Sequence, residues 1–256
     1  MCITGEVDMP DNVAWGSVHG GVRERVELFL GAAKKAPGDT MLSAYLTGAS
    51  SRGEYSTANP EIDLLLVFPA VGRELLDHLA ALGRKYGGKG LHAPMLLTPE
   101  YLKNACDVFP LELFELMSSH VLIQGEDLLS GVSISDTHLR LQCERELRWW
   151  RLQLRNGYLK AAGDRGWLAG WFIDASPRLF KVMRAVLHLM GGNTNAGNTV
   201  VAERLKAASG VDMSAVVELW ELRKAGKKPA KDKVFGYFER WDAALETLVE
   251  KVDAIG

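Results

Sequence analysis

Apolar residues change their spacing along this chain, and the change runs one way. Between positions 22 and 33 they recur at Val22, Val26, Phe29, Leu30 and Ala33, the rhythm of an amphipathic helix opened by Gly20-Gly21 and ended by Pro37-Gly38-Asp39. Residues 41–47 predict a short buried strand, and 48–60 a polar loop rich in Ser, Gly, Thr and Asn. Residues 62–68 form a compact apolar run between a turn and Pro69, which predicts a central strand covered on both faces. Helical spacing returns over 73–86 through Leu75, Leu76, Leu79 and Leu82, and Gly87-Gly88 closes it. Residues 91–98 predict another strand, which Pro94 confines to an edge or a bulge. Asp107 and Pro110 suit the N-cap and first turn of a helix reaching His120, and 121–124 suit one more short strand.

Past Gly131 only helical patterns remain, over 137–160, 167–174, 177–190, 200–208, 214–224 and 233–252. Breakers separate them at Gly163, Gly191-Gly192, Gly210 and 226–229. Strands and helices followed by helices alone predict an α+β protein, with an α/β domain over 1–131 and an all-α helical domain over 132–256. The chain of 256 residues is 47% hydrophobic and 24% charged, enough apolar material for one or two cores. Its formal net charge of -2 supplies no global basic field, so general nucleic-acid binding is not expected and any polyanion contact must be local. Cys2, Cys106 and Cys143 lie far apart, without a C-x-x-C pair or a His at zinc-ligand spacing, and read as reduced thiols of a cytoplasmic protein. Residues 1–10 mix Glu6 and Asp8 into their apolar positions, unlike a signal peptide. No stretch approaches the roughly 20 apolar residues of a membrane span, so no membrane partner is expected.

The chemistry concentrates in residues 45–68, YLTGASSRGEYSTANPEIDLLLVF. A small-residue loop follows one strand, and Glu61 and Asp63 open the next. Side chains two apart on a strand share a face, so the two carboxylates point the same way. Such a pair suits a hard cation such as Mg²⁺, which takes oxygen ligands and shares them with substrate phosphates. The backbone amides of Gly48, Ala49, Ser50 and Ser51, with the two serine hydroxyls and the Arg52 guanidinium, suit a triphosphate.

This loop, the acid pair about a dozen residues later and the apolar strand behind it together resemble the nucleotidyltransferase superfamily. The resemblance implies the nucleotidyltransferase fold, a small mixed sheet flanked by helices, and a helical domain like that of the aminoglycoside nucleotidyltransferases. It also implies that Gly48, Ala49, Ser50, Ser51 and Arg52 bind an NTP such as ATP, while Glu61 and Asp63 are the catalytic metal ligands for Mg²⁺. The implied reaction moves a nucleoside monophosphate to a hydroxyl acceptor, on a small molecule or a protein. The chain departs from the family pattern in three places. Ala49 stands where Ser is usual, Glu61 where Asp is commoner, and 91–98 contain no acid, leaving Glu100, Glu112 and Glu126 as the nearest candidates for a third carboxylate. Those departures motivate a second reading, a noncatalytic member of the fold that binds a nucleotide or a partner as sensor or scaffold.

A third reading, a helical interaction module, draws on the tail. Trp149, Trp150, Trp167, Trp171, Trp220 and Trp241 all lie there and suit core packing or packing within a homodimer. Glu144, Arg148, Arg151 and Arg155 share a helical face and read as a solvated one with an i,i+4 pair. The five lysines of 224–233 read as a solvated loop, and Arg184 with His188 as residues of an apolar helix.

Overall fold

The protein is described from a computed structural model, in which residues 15, 16, 18–34 and 41–255 are described. The reading of residues 1–10, Cys2 and the Pro37-Gly38-Asp39 breaker lie outside them. The chain is α+β, with one four-stranded mixed sheet and predominantly helical structure elsewhere. It divides into two compact units, one of residues 1–104 and 119–132, the other of 105–118 and 133–256.

The first unit contains α1 (Gly20–Ala33), β1 (Ser43–Thr47), the single turn α2 (Gly48–Ser51), β2 (Asp63–Val67), α3 (Arg73–Tyr86), β3 (Met95–Leu97), α4 (Pro99–Asn104) and β4 (His120–Gly125). Strand order is β3-β2-β1-β4. β1 pairs antiparallel with β2 and β4, whereas β2 pairs parallel with β3, a connection that needs a crossover and receives it from α3. β2 is the central strand expected, with Leu64 to Val67 buried on both alternating faces. One face, Ala44, Leu46, Leu64 and Leu66, packs with Val22, Val26, Phe29 and Leu30 of α1 and with Leu75 and Leu79 of α3. Leu76, counted with that stripe from sequence, is instead 48% exposed. β3 lies at the sheet edge, as Pro94 required. It is shorter than expected, because the isolated Ile62–Leu91 bridge and the strand flank residues 92–94, and proline has no N–H for a ladder.

The second unit comprises α5 (Pro110–Ser118), α6 (Asp136–Ala161), α7 (Arg165–Leu189), α8 (Asn198–Ser209), α9 (Ser214–Lys224) and α10 (Val234–Asp253). α7 runs unbroken through Pro177, correcting the expectation of two helices over 167–190. A proline inside a helix deprives the carbonyl four residues earlier of its donor. Here the Ser176 hydroxyl donates to that carbonyl, Ile173 O, at 3.2 Å. Trp150, Trp220 and Trp241 are buried, and Trp171 packs on Gly157 and Trp241, so core packing uses these four. Trp149 and Trp167 remain 44% exposed. Arg148 pairs with Glu144 at 2.8 Å, and Arg151 bonds Asp242 and Glu246 of α10 at 3.2 and 2.9 Å, so the basic face of α6 serves intramolecular pairing. Among the described residues, no helix is long and apolar enough to cross a membrane.

Burial sets the reactivity of Cys143 on α6. Desolvation, reinforced by the charges of Glu146 and Glu112, pushes its thiol up to about 12. An unperturbed thiol titrates near 8.5, so at pH 8 Cys143 is thiolate only to about one part in ten thousand. Iodoacetamide at pH 8 should therefore leave Cys143 unmodified in folded protein and alkylate it in urea. Mass mapping of the peptides checks this, and modification of the folded chain would contradict the burial.

Candidate functional site

β1 ends at Thr47, and the chain turns at once into α2 through Gly48, whose φ of +68° is left-handed backbone that glycine adopts without strain. Glycine is also needed there for room. A Cβ on Gly48 would lie 2.6 Å from Asp63 Oδ2. The reason is the register: Thr47 faces Asp63 across the antiparallel β1–β2 pair, so the first residue of the bend arrives over the carboxylate. Loop and acid, read from the sequence as one constellation, are thus close at Gly48 and Asp63.

Ile62 faces the apolar core, and Asp63, the first residue of β2, alternates to the other side, with Glu61 just ahead of the strand. Asp63 is 43% exposed at its side chain, and its Oδ1 lies 2.8 Å from Nδ1 of His92. Glu61 Oε1 accepts from Asn59 Nδ2 at 3.3 Å. The loop hydroxyls are engaged by the protein itself. Ser50, 1% exposed, donates to the carbonyl of Glu61 at 2.5 Å. Ser51 donates to the Gly48 carbonyl at 2.8 Å and lies 3.0 Å from the Ser119 hydroxyl. The Ala49 carbonyl accepts the amides of Arg52 and Glu54 at 3.1 and 3.0 Å. Arg52 pairs with Glu54 at 3.4 Å, and both side chains are largely covered. The loop is thus a tight, internally bonded bend.

His92 is the residue that sequence reading missed. Its amide donates to Ile62 O at 3.0 Å beside the Ile62–Leu91 bridge, which sets the imidazole next to Asp63. Only the parallel pairing reveals this, because 29 residues separate the two in sequence. The candidates for a third carboxylate are dispersed. Glu112 pairs with Lys181 at 3.0 Å in the helical unit, Glu100 lies in the first turn of α4, and Glu126 follows β4. Among the described residues, no group of three or more His, Cys, Asp or Glu side chains is placed to hold a metal ion.

No protein-family model matches the chain, and a comparison with curated proteins finds no match.

Proposed function

We propose that the chain is a metal-assisted nucleotidyltransferase, moving a nucleoside monophosphate from an NTP to a hydroxyl of a small molecule or protein. The observation that carries this reading is the approach of Gly48 to Asp63, which joins a sharp small-residue bend to a carboxylate at one strand end. The mixed sheet, with β3 parallel to β2 and β1 antiparallel to it, agrees with the nucleotidyltransferase fold that the sequence resembles.

The donor set decides how much metal chemistry fits. Glu61 lies just ahead of the strand that Asp63 opens, and Asp63 Oδ1 is engaged by His92 while Oδ2 faces the bend. Mg²⁺ commonly takes one or two carboxylates and completes its shell with phosphates and water. These residues fit one such cation and not a two-metal centre. A cation held there supplies neutralisation of charge on the departing pyrophosphate. Asp63 is oriented by His92, and the absence of a side chain at Gly48 leaves room for its carboxylate. In the transfer, the acceptor oxygen bonds to the α-phosphorus, the bond to pyrophosphate breaks with its electron pair on the departing oxygen, and the hydroxyl proton passes to solvent water.

A second reading, nucleotide binding without transfer, is favoured by one observation. Ser50 and Ser51 spend their hydroxyls on Glu61, Gly48 and Ser119, so neither stands in for the serine that Ala49 replaces. One experiment separates the two. Calorimetry with ATP, GTP, CTP and UTP in the presence and absence of Mg²⁺ reads binding, and pyrophosphate release across a panel of hydroxyl acceptors reads transfer. Asp63→Asn should abolish release with little loss of stability, because the side chain is half exposed. Gly48→Ala should also abolish release, by displacing the Asp63 carboxylate. Binding without release by the wild type would select the noncatalytic reading, and release that survives Asp63→Asn would refute transfer at this site.

A further inference from the structure

The outer face of α6 is apolar and cationic at once. Leu141, Trp149, Leu152 and Leu159 are 50%, 44%, 57% and 72% exposed along it. Their spacing of 8, 3 and 7 residues keeps them on one side of a helix, and over 18 residues they span about 27 Å at 1.5 Å per residue. Four leucine or tryptophan side chains in a row are more than solvation of a surface helix calls for.

At the C-terminal end the stripe runs into a cavity of about 160 Å³, which Leu159 lines together with Tyr158, Leu168 and Phe235. The cavity walls are mainly apolar, and Arg165 lies over the Phe235 ring at 4.6 Å. The volume suits one large apolar side chain inserted from outside.

Cations outnumber carboxylates beside the stripe. Arg145, Lys160 and, at the cavity, Arg165 are exposed, whereas Arg148 is paired with Glu144 and the Asp164 carboxylate borders the cavity. The neighbouring carboxylates are already engaged. Glu144, only 19% exposed, is held by Arg140 and Arg148, Glu146 accepts from Gln142 at 3.3 Å, and Asp164 caps α7 by accepting the amides of Gly166 and Trp167. Those two amide bonds hold the Asp164 carboxyl below its ordinary range.

We infer that this face of α6, with the cavity at its end, docks an acidic amphipathic helix of a partner protein. The apolar stripe would take the partner's i, i+3/i+4, i+7 residues, the cavity one terminal leucine or aromatic anchor, and the flanking cations the partner's glutamates and aspartates. Leucines offer bases nothing to stack on, so the composition favours a helix over a nucleic acid. The sign of the border disfavours a second copy of α6 laid antiparallel, which would set Arg145 against Arg155.

Fluorescence anisotropy on the full chain tests this with a labelled 21-residue helical peptide carrying leucines at heptad a and d positions, a terminal phenylalanine and glutamates elsewhere. Two control peptides carry lysine for glutamate or serine for leucine, and a labelled 21-nucleotide single strand is a fourth probe. The acidic peptide should bind saturably and at least tenfold more tightly than either control peptide. Leu152→Glu and Arg145→Glu should each weaken it at least tenfold while circular dichroism stays unchanged, and raising salt from 50 to 500 mM should weaken it further. Equal binding of the acidic and serine peptides, or indifference to Leu152→Glu, would overturn the proposal. Tighter binding of the nucleic acid would assign the face to that ligand instead, and a dimer in sedimentation that Leu152→Glu dissociates would assign it to self-association.

Discussion

Gly125→Ala should destabilise the protein by about 3–5 kcal/mol, because two penalties fall on one residue. Gly125 closes β4 with φ of +85°, a left-handed conformation that costs an alanine about 1–2 kcal/mol. The added Cβ would also sit 1.8 Å from the carbonyl oxygen of Leu42 and 2.9 Å from Cα of Ser43. Those are backbone atoms at the start of β1, so no side chain can rotate aside, and the β1–β4 pairing must open at its Ser43–Gly125 end. Gly163 supplies the control. Its φ is +88°, yet a Cβ there meets nothing within 4 Å, so Gly163→Ala should cost only the conformational part, about 1–2 kcal/mol. Gly125→Asn completes the test, since asparagine tolerates left-handed backbone but keeps its Cβ and should recover little. Urea denaturation curves of the three variants decide it. Equal losses for Gly125→Ala and Gly163→Ala would mean that crowding against Leu42 plays no part.

Arg184→Ala should cost about 3–5 kcal/mol, the range for removing one partner of a buried charge network. Arg184 is 1% exposed near the C-terminal end of α7. Its guanidinium donates to the carbonyls of Thr194 and Ala196, the latter at 2.9 Å, and to Asn198 Oδ1 at 3.1 Å. Glu115 of α5 supplies a countercharge 3.5 Å from Nε. The planar fork thus organises the turn between α7 and α8, and its loss takes one donor group from the Thr194 and Ala196 carbonyls and from Asn198, and a countercharge from Glu115. Arg184→Met, close in volume, should rescue little, because packing is not what the residue supplies. Arg184→Lys should fall between, since one ammonium cannot match a fork aimed at several acceptors. Thermal and urea unfolding measure all three, and a methionine variant as stable as wild type would show that the network contributes nothing net.

Two elements bounded by breakers at both ends were readable from sequence to the residue, whereas α8, expected over 200–208, runs over 198–209. α3 begins after Gly72 and ends at Gly87, and α9 runs over the same 214–224 that its apolar spacing predicts. The failures have different causes, one local and one long-range. Pro177 reads as a break, and only the bond from Ser176 to Ile173 shows how the helix continues. The candidate site divides in the same way. Gly48, Glu61 and Asp63 stand in one local stretch whose residue types and spacing are informative by themselves. His92 becomes visible only once parallel pairing brings Leu91 beside Ile62, because strand register is set by the whole sheet and not by its neighbours in sequence.

The excursion of the chain between Asn104 and Ser119 has a consequence for how the protein is made. α5 buries Leu111, Leu113, Phe114 and Leu116 among the helices of its own unit, including α6 and α7, which leave a ribosome only after α5 does. Newly exposed α5 must therefore wait, apolar side uncovered, while β4 returns to complete the sheet against β1. A fragment ending near residue 131 would carry that uncovered segment permanently, so its aggregation would report a stranded helix and not an unstable sheet. Separating the two units cleanly calls for removing residues 105–118 and rejoining the flanks, a transplant and not a cut.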